Sequence, residues 1–569
     1  MVQGRARARL KPASLRLNPV LLSILAGLAH AASMGSPWDG QPVWWLQLIA
    51  LGALAWQLEQ NISARRGAWL GWLFATAWLC GTFWWLYISM HTYGGLNAGL
   101  TVLAVFGLAA VLALYYSAAC WCFVAFAHVN KAWSAIIFAA LWMLAEMGRG
   151  IWFTGFGWGA AGYAHIDALA VFAKYIGAYG VAGLAAYVAC SLAQSLSAWF
   201  KNRLGWRQIK SLAPLALIGV LTLVSNHNFS SAGATLDVAL LQGNIPQDEK
   251  FQPGTGIADA LTWYGDQIQA AKASLVVGPE TAIPILPRQL PDQYWQRLTG
   301  VFGGVFSGAF TGAGQPSGAA NGAPRSQALL IGIPLGSYRD GYTNSVIGIK
   351  PGPNSAPSAP PTSPGAPDTP SAAYRYDKHH LVPFGEFIPP LFKWFTQMMN
   401  IPLGDFNRGD VGQPSFEWQG QRLAPNVCYE DLFGEELGAR FLDGALAPTI
   451  FVNVSNIGWF GDSIAIDQHL AISRMRALEF ERPFIRATNT GATAIIDHMG
   501  RVTHALPRHS RGVLMGQVQG RSGTAANGFG VTPYAWWVSR FWLWPLWILG
   551  AAIVLLAALD SRRRASRML

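Results

Sequence analysis

Long apolar runs dominate both ends of the chain, and a different pattern fills the middle. The runs cover about 17–34, 43–58, 68–90, 96–127, 132–148, 168–200, 211–225 and 535–559. Each approaches or exceeds the roughly 20 residues that cross a bilayer core, with 43–58 and 211–225 the shortest. They predict eight transmembrane helices, seven before residue 226 and one near the end. Between 226 and 534 the pattern shortens. Runs rich in β-branched residues at 236–242, 274–278, 328–333, 345–349, 423–428, 449–454 and 492–497 read as strands. Helical patterns lie at 256–273 and 463–481. Such alternation predicts an α/β layered domain. Two stretches do not fit a compact core: 303–325 is rich in Gly, Ala and Ser, and 351–372 in Pro and Ser. Both read as surface insertions. The expected organisation is a membrane domain over 1–225, a catalytic domain over 226–534, and a last helix with a basic tail over 535–569.

Composition agrees with membrane spans. Of 569 residues, 52% are hydrophobic, only 12% are charged and 26 are Trp, against about 25% charged in an ordinary soluble protein. The net charge of +11 could suggest nucleic acid, but its distribution argues otherwise. Arg5, Arg7, Arg9, Lys11 and Arg16 precede the first run. Arg65-Arg66, Lys131, the 201–210 loop and Arg562, Arg563, Arg564 and Arg567 fall on the same side under an eight-span count. That places the N-terminus inside and residues 226–534 outside, in the periplasm of a two-membrane cell, and no nucleic-acid partner is expected. The first run also resembles a signal peptide ending in Ala-His-Ala-Ala, but His30 and the spans that follow favour an uncleaved helix. On the outer side, the loop from Arg149 to Trp158 is rich in Gly and aromatics. It reads either as an interfacial belt or as a mouth where Arg149 meets a lipid headgroup.

Candidate chemistry centres on Cys428. Cys80, Cys120, Cys122 and Cys190 lie in apolar runs; Cys428 alone lies in the middle domain, so it has no disulfide partner there. A lone cysteine is a buried hydrophobe or a nucleophile. Two other segments set charge at strand ends: Pro279-Glu280-Thr281, and Lys378 through Val382-Pro-Phe-Gly-Glu386. Each alone also reads as an ordinary cap or exposed loop. The adjacent His379-His380 and the lone His469 make a poor zinc set, and H-E-x-x-H is absent, so no metal and no cofactor is expected.

Glu280, Lys378 and Cys428, in that order, resemble the nitrilase superfamily. Gln242-Gly-Asn-Ile-Pro-Gln247, Asn426-Val-Cys428-Tyr-Glu430 and Asn456-Ile-Gly-Trp459-Phe-Gly-Asp-Ser463 with Gln468-His469-Leu470, inside a membrane frame, resemble the apolipoprotein N-acyltransferase family. That resemblance implies an αββα sandwich. It also implies transfer of the sn-1 acyl chain of phosphatidylethanolamine to the N-terminal amine of a diacylglyceryl-cysteine apolipoprotein, the final step of bacterial lipoprotein maturation. The route runs through a thioester on Cys428, with Glu280 as general base, Lys378 as oxyanion partner, Glu386 orienting Lys378 or the amine, and Tyr429 and Glu430 positioning the nucleophile's turn. Arg149, Phe251, Trp459 and Phe460 are candidate lipid contacts, and the apolar segment 387–399 with Phe392, Trp394, Phe395, Met398 and Met399 a candidate lid. A monomer in the inner membrane is expected. Phe251 stands where the family commonly has Trp, and Ile457-Gly458 replaces the more usual Asp-Ala. The alternatives are a membrane-tethered amidase, in which water resolves the thioester, and a transporter carrying an inactive domain. The few charges inside the spans speak against transport.

Overall fold

The computed structural model describes residues 18–60, 62–127, 131–200, 213–224, 227–300, 327–351, 374–388, 405–523 and 530–568. Residues 303–325 and 352–372 of the two predicted insertions and the lid residues Phe392, Trp394, Phe395, Met398 and Met399 lie outside these.

Each of the eight apolar runs holds a helix: α1 Pro19–Ser33, α2 Trp44–Leu58, α3 Ala64–Thr82, α4 Ala98–Phe126, α5 Lys131–Ile151, α6 Ala173–Phe200, α7 Ala213–Val224 and, at the far end, α13 Trp544–Met568. By length and composition, four of the described helices could cross a membrane, at Ala98–Phe126, Trp133–Thr154, Leu169–Phe200 and Trp544–Arg564; Pro19–Ser33, Trp44–Leu58 and Ala213–Thr222 are apolar but shorter. The run expected at 68–90 is displaced: α3 ends at Thr82, and a π-helical turn, Ile88–Tyr93, follows. The last run is not one helix. α12 (Pro533–Phe541) stops at Trp542, whose φ of 55° no α-helix accommodates, and α13 restarts beyond it. Apolar side chains such as Leu103, Val111, Ile548 and Leu555 point outward from α4 and α13, as expected of a lipid-facing surface.

The middle of the chain forms two six-stranded sheets. One has the order β12 (Gly512–Ser522), β1 (Ser231–Gln242), β2 (Leu275–Val277), β3 (Ala328–Ser337), β4 (Gly341–Ile349), β5 (Tyr374–Asp377). The other has β11 (Val502–Ala505), β10 (Ala494–Ile496), β9 (Phe484–Thr488), β8 (Ile450–Ser455), β7 (Gln421–Val427), β6 (Phe416–Trp418). Strand alternation explains the layering. Leu236, Val238 and Leu240 of β1 face Leu423, Val427, Val452 and Ile485 in a shared core, each worth about 1.5–3 kcal/mol of burial. The intervening Ala239 and Leu241 face the opposite way, onto Leu261 and Ile268 of α8 (Gly256–Ala270). The short helices α9 (Tyr294–Gly300) and α10 (Gly434–Gly438) lie between strands.

The outer face of the second sheet packs on α11 (Ala465–Phe480) and on membrane helices. Phe451, Phe480 and Phe484 share one cluster with Met143 and Met147 of α5 and Tyr534 of α12. The layers are therefore helix, sheet, sheet, helix, and the last layer is continuous with the membrane bundle.

Candidate active site

β2 and β7 each run parallel to a neighbour and end at the same rim, and β5 turns there. Such rims gather reactive groups because the chain leaves the sheet with its side chains free of the ladder. Glu280 follows β2, Lys378 follows β5, and Cys428 follows β7. Cys428 has a φ of 52°. A non-glycine residue in the left-handed region is strained by about 1–3 kcal/mol, and such strain holds only where the surroundings enforce it.

Those surroundings are visible. The Cys428 carbonyl accepts from Asn453 Nδ2 at 3.1 Å and from His469 Nε2 at 3.1 Å. Arg486 Nη2, which can only donate, reaches His469 Nδ1 at 3.0 Å, so the ring proton sits on Nε2. Asp431 ties the set together, with Oδ1 at 3.0 Å from His469 Nε2 and Oδ2 at 2.9 Å from Arg486 Nη1 and bonded to Ser473. Burial would raise the Asp431 pKa, but His469, Arg486 and Ser473 hold it below the usual carboxylate value. The two histidine groups considered for zinc are thus occupied otherwise: His469 buttresses the cysteine, and His380 spans Glu436 Oε1 at 2.8 Å and Thr154 O at 2.9 Å.

Glu430 locks the cysteine's turn to the lysine's segment. One carboxylate accepts from Val427 N at 2.6 Å, Tyr376 Oη at 2.8 Å, His379 N at 2.6 Å and His380 N at 3.2 Å. Tyr429 points the other way, donating to Gly155 O of the membrane domain at 3.2 Å.

Lys378 is buried between two carboxylates, with Nζ 2.8 Å from Glu386 Oε2 and 3.6 Å from Glu280 Oε1. Burial alone would lower its pKa; Glu386 and Glu280 outweigh that and hold the ammonium well above its ordinary value. Asn344 of β4 bridges the acids, donating to Glu280 Oε1 and Glu386 Oε1 at 2.7 Å each. Asn456 N donates to Glu280 Oε2 at 2.9 Å, and Val382 N to Glu386 Oε2 at 2.8 Å. The half-buried Cys428 thiol feels Glu280, Lys378 and Glu386 and lies beside the Ser455 hydroxyl. Burial, then the Glu280 charge, push it up to about 12 against the pull of Lys378. The resting sulfur is therefore a thiol at neutral pH.

The lipid-contact candidates fall elsewhere. Trp459 meets Tyr93 edge-on at 5.8 Å between ring centres, and Phe460 lies 4.3 Å from Trp85, both on the seam between the domains. Phe251 is half-buried beside Lys250. Arg149 does not line a mouth: it is 1% exposed, with Nε donating to Tyr116 Oη at 2.9 Å and Nη1 to Phe156 O and Trp158 O at 2.6 and 2.8 Å. It staples the loop from beneath, because a guanidinium in an apolar bundle must find acceptors close by.

Several neighbours carried no signal in the sequence. Asn344 reads as an ordinary strand residue. Lys250, whose Nζ donates to Glu280 O at 3.0 Å, follows Asp248 and Glu249 and reads as an exposed turn. His469 stands in the Gln468-His469-Leu470 motif, but nothing in that motif indicates contact with Cys428.

Residues 27–191 match the family model "Apolipoprotein N-acyltransferase N-terminal domain", and 237–527 match "Carbon-nitrogen hydrolase". The chain is 53% identical over 532 residues to an apolipoprotein N-acyltransferase of Verminephrobacter eiseniae, covering 92% of each. It is 41% identical to that of Ralstonia nicotianae, covering 97% of this chain and 95% of the relative. With that of Bordetella bronchiseptica the identity is 39%, covering 96% and 97%.

Proposed function

Because this chain belongs to the apolipoprotein N-acyltransferase family, a family of membrane acyltransferases, we propose that it carries its acyl group on Cys428, with Glu280 as base and Lys378 as oxyanion partner. The observation that carries this reading is the Glu280–Lys378–Glu386 set, held around a strained cysteine at one rim of the sandwich.

In the first half-reaction the Cys428 proton passes to Glu280 as sulfur bonds to the sn-1 ester carbon of a phospholipid. The oxyanion is stabilised by Lys378 and by the Tyr429 main-chain N–H. The ester C–O bond then breaks, and Glu280 returns the proton to the departing lysophospholipid oxygen. In the second, the α-amine of a diacylglyceryl-cysteine apolipoprotein attacks the thioester, loses a proton to Glu280, and expels sulfur, which is reprotonated. Glu386 keeps Lys378 aimed between the two carboxylates. Glu430 and Tyr429 hold the nucleophile's turn, one toward Lys378 and one toward the membrane domain. Trp459 and Phe460, on the seam between the domains, and Phe251, beside Lys250, would meet the acyl chain only as it approaches the rim. Eight spans in an inner membrane, with residues 226–534 on the periplasmic side, would set this rim over the leaflet holding both lipids.

Intact-mass measurement after mixing the full chain with phospholipid vesicles tests the route. The expected result is a gain of one acyl chain, absent in Cys428→Ala, and discharged by a diacylglyceryl-cysteine peptide. Release of free fatty acid with no acylated peptide would instead identify a hydrolase, and normal transfer by Cys428→Ala would remove the nucleophile.

A further inference from the structure

The acyl-transfer site contains a second lysine. Lys250 is 1% exposed, as buried as Lys378. Its turn is fixed: Lys250 N bonds Pro246 O at 2.9 Å, and Gln247 Oε1 accepts from Asn456 Nδ2 at 2.7 Å. From that turn Nζ reaches the main-chain carbonyl of Glu280 at 3.0 Å. Among the described residues no carboxylate pairs with it, whereas Lys378 has two. A buried ammonium without an ion pair is costly and is found where its charge has work to do.

The charges around Cys428 define that work. Glu280 and Glu386 against Lys378 leave one negative charge, facing a sulfur that must give up a proton, while Arg486, also within reach of that sulfur, is matched by Asp431. Lys250 cancels it. Both Glu280 and the Cys428 sulfur lie close enough to act on the Lys250 ammonium, so the effect on Cys428 is mutual.

We propose that Lys250 is a further positioning residue of this reaction: its ammonium fixes the Glu280 main chain and cancels the negative charge that the paired carboxylates would otherwise present to Cys428. This rests on the thioester reading above. Burial pulls the Lys250 pKa down to about 8. The ammonium is therefore present below that pH and lost above it, far from the titration of the thiol at about 12.

The test is the initial rate of acyl mass gain from phospholipid vesicles, without acceptor, across neutral to alkaline pH. The wild-type rate is expected to fall as pH rises through about 8. Lys250→Arg moves that fall to higher pH, because a guanidinium stays charged. Lys250→Met slows the neutral-pH rate by roughly 10²-fold and abolishes the alkaline fall. A wild-type profile with no fall there overturns the proposal on its own, whether or not either variant folds. So does a folded Lys250→Arg whose fall is unmoved, or a folded Lys250→Met acylated at the wild-type rate. Absence of acyl gain in the wild type would instead refute the thioester reading.

Discussion

At the residue scale, the site depends on a few carboxylates whose acceptors are all in use. Glu430 takes four donors, two of them main-chain groups flanking Lys378 and Cys428. Glu430→Gln turns part of that acceptor into a donor facing other donors, an unsatisfied contact of about 1–3 kcal/mol. The expected result is a lower melting temperature together with thioester formation roughly 10²-fold slower, read by thermal unfolding and intact mass. Asp431 gives a pH prediction. Its folded pKa lies below the ordinary value, so its stabilisation is present above the unfolded pKa of about 3.9 and is lost as pH falls through the folded value. Asp431→Asn removes that dependence, so wild type and variant are expected to converge in stability on acidification. A stability gap constant with pH would contradict this. Glu280, Lys378 and Cys428 were legible as charged or reactive groups at strand ends, but only the family resemblance joined them into one site. Lys250 and Asn344 were not legible, because their neighbours in sequence are ordinary and only folding brings them to Glu280.

At the element scale, β3 has to let the Glu280 backbone lie against it. A Cβ on Gly332 would stand 2.4 Å from Pro279 O and 2.7 Å from Glu280 Cα. Gly332→Ala is expected to cost about 1–3 kcal/mol and to cut the single-turnover rate by more than its stability loss explains, since Glu280, the proposed base, would be displaced. Gly155 is the counterpart on the membrane side. Its φ is 71°, and a Cβ there would meet Gly150 O; the expected loss of acylation in Gly155→Ala would mark the loop that Tyr429 and His380 hold. Elements were legible where apolar runs were unbroken, as in β1, β7, β8 and α4. β9 was missed because Arg486 interrupts an apolar strand, and there the arginine is buried against Asp431. β12 was missed because glycine and glutamine dilute its pattern while it pairs with β1 along its length. The end of α12 at Trp542 was hidden inside one long apolar run.

For the whole molecule, the orientation read from basic loops can be checked with impermeant thiol reagents. Tyr338→Cys, on an exposed turn of the domain, should label from outside in cells with a permeabilised outer membrane, and Arg563→Cys only after lysis. The opposite pattern would invert the topology. The division into apolar ends and an α/β middle was legible from the sequence. How closely the two halves are joined was not, because it depends on single polar contacts between distant segments. Gln468 shows this best. Its side-chain oxygen takes the indole N–H of Trp85 at 3.0 Å and of Trp158 at 2.8 Å, and its amide donates to Thr82 O at 3.1 Å. The next residue, His469, grips the Cys428 carbonyl. Cys428, the proposed nucleophile, is thus two contacts away from helices whose tilt would answer to bilayer thickness. On the proposed mechanism, the membrane would then tune the site as well as support it. Acylation rates measured in short-chain and long-chain bilayers should differ in the chemical step itself, and Gln468→Leu should weaken that sensitivity.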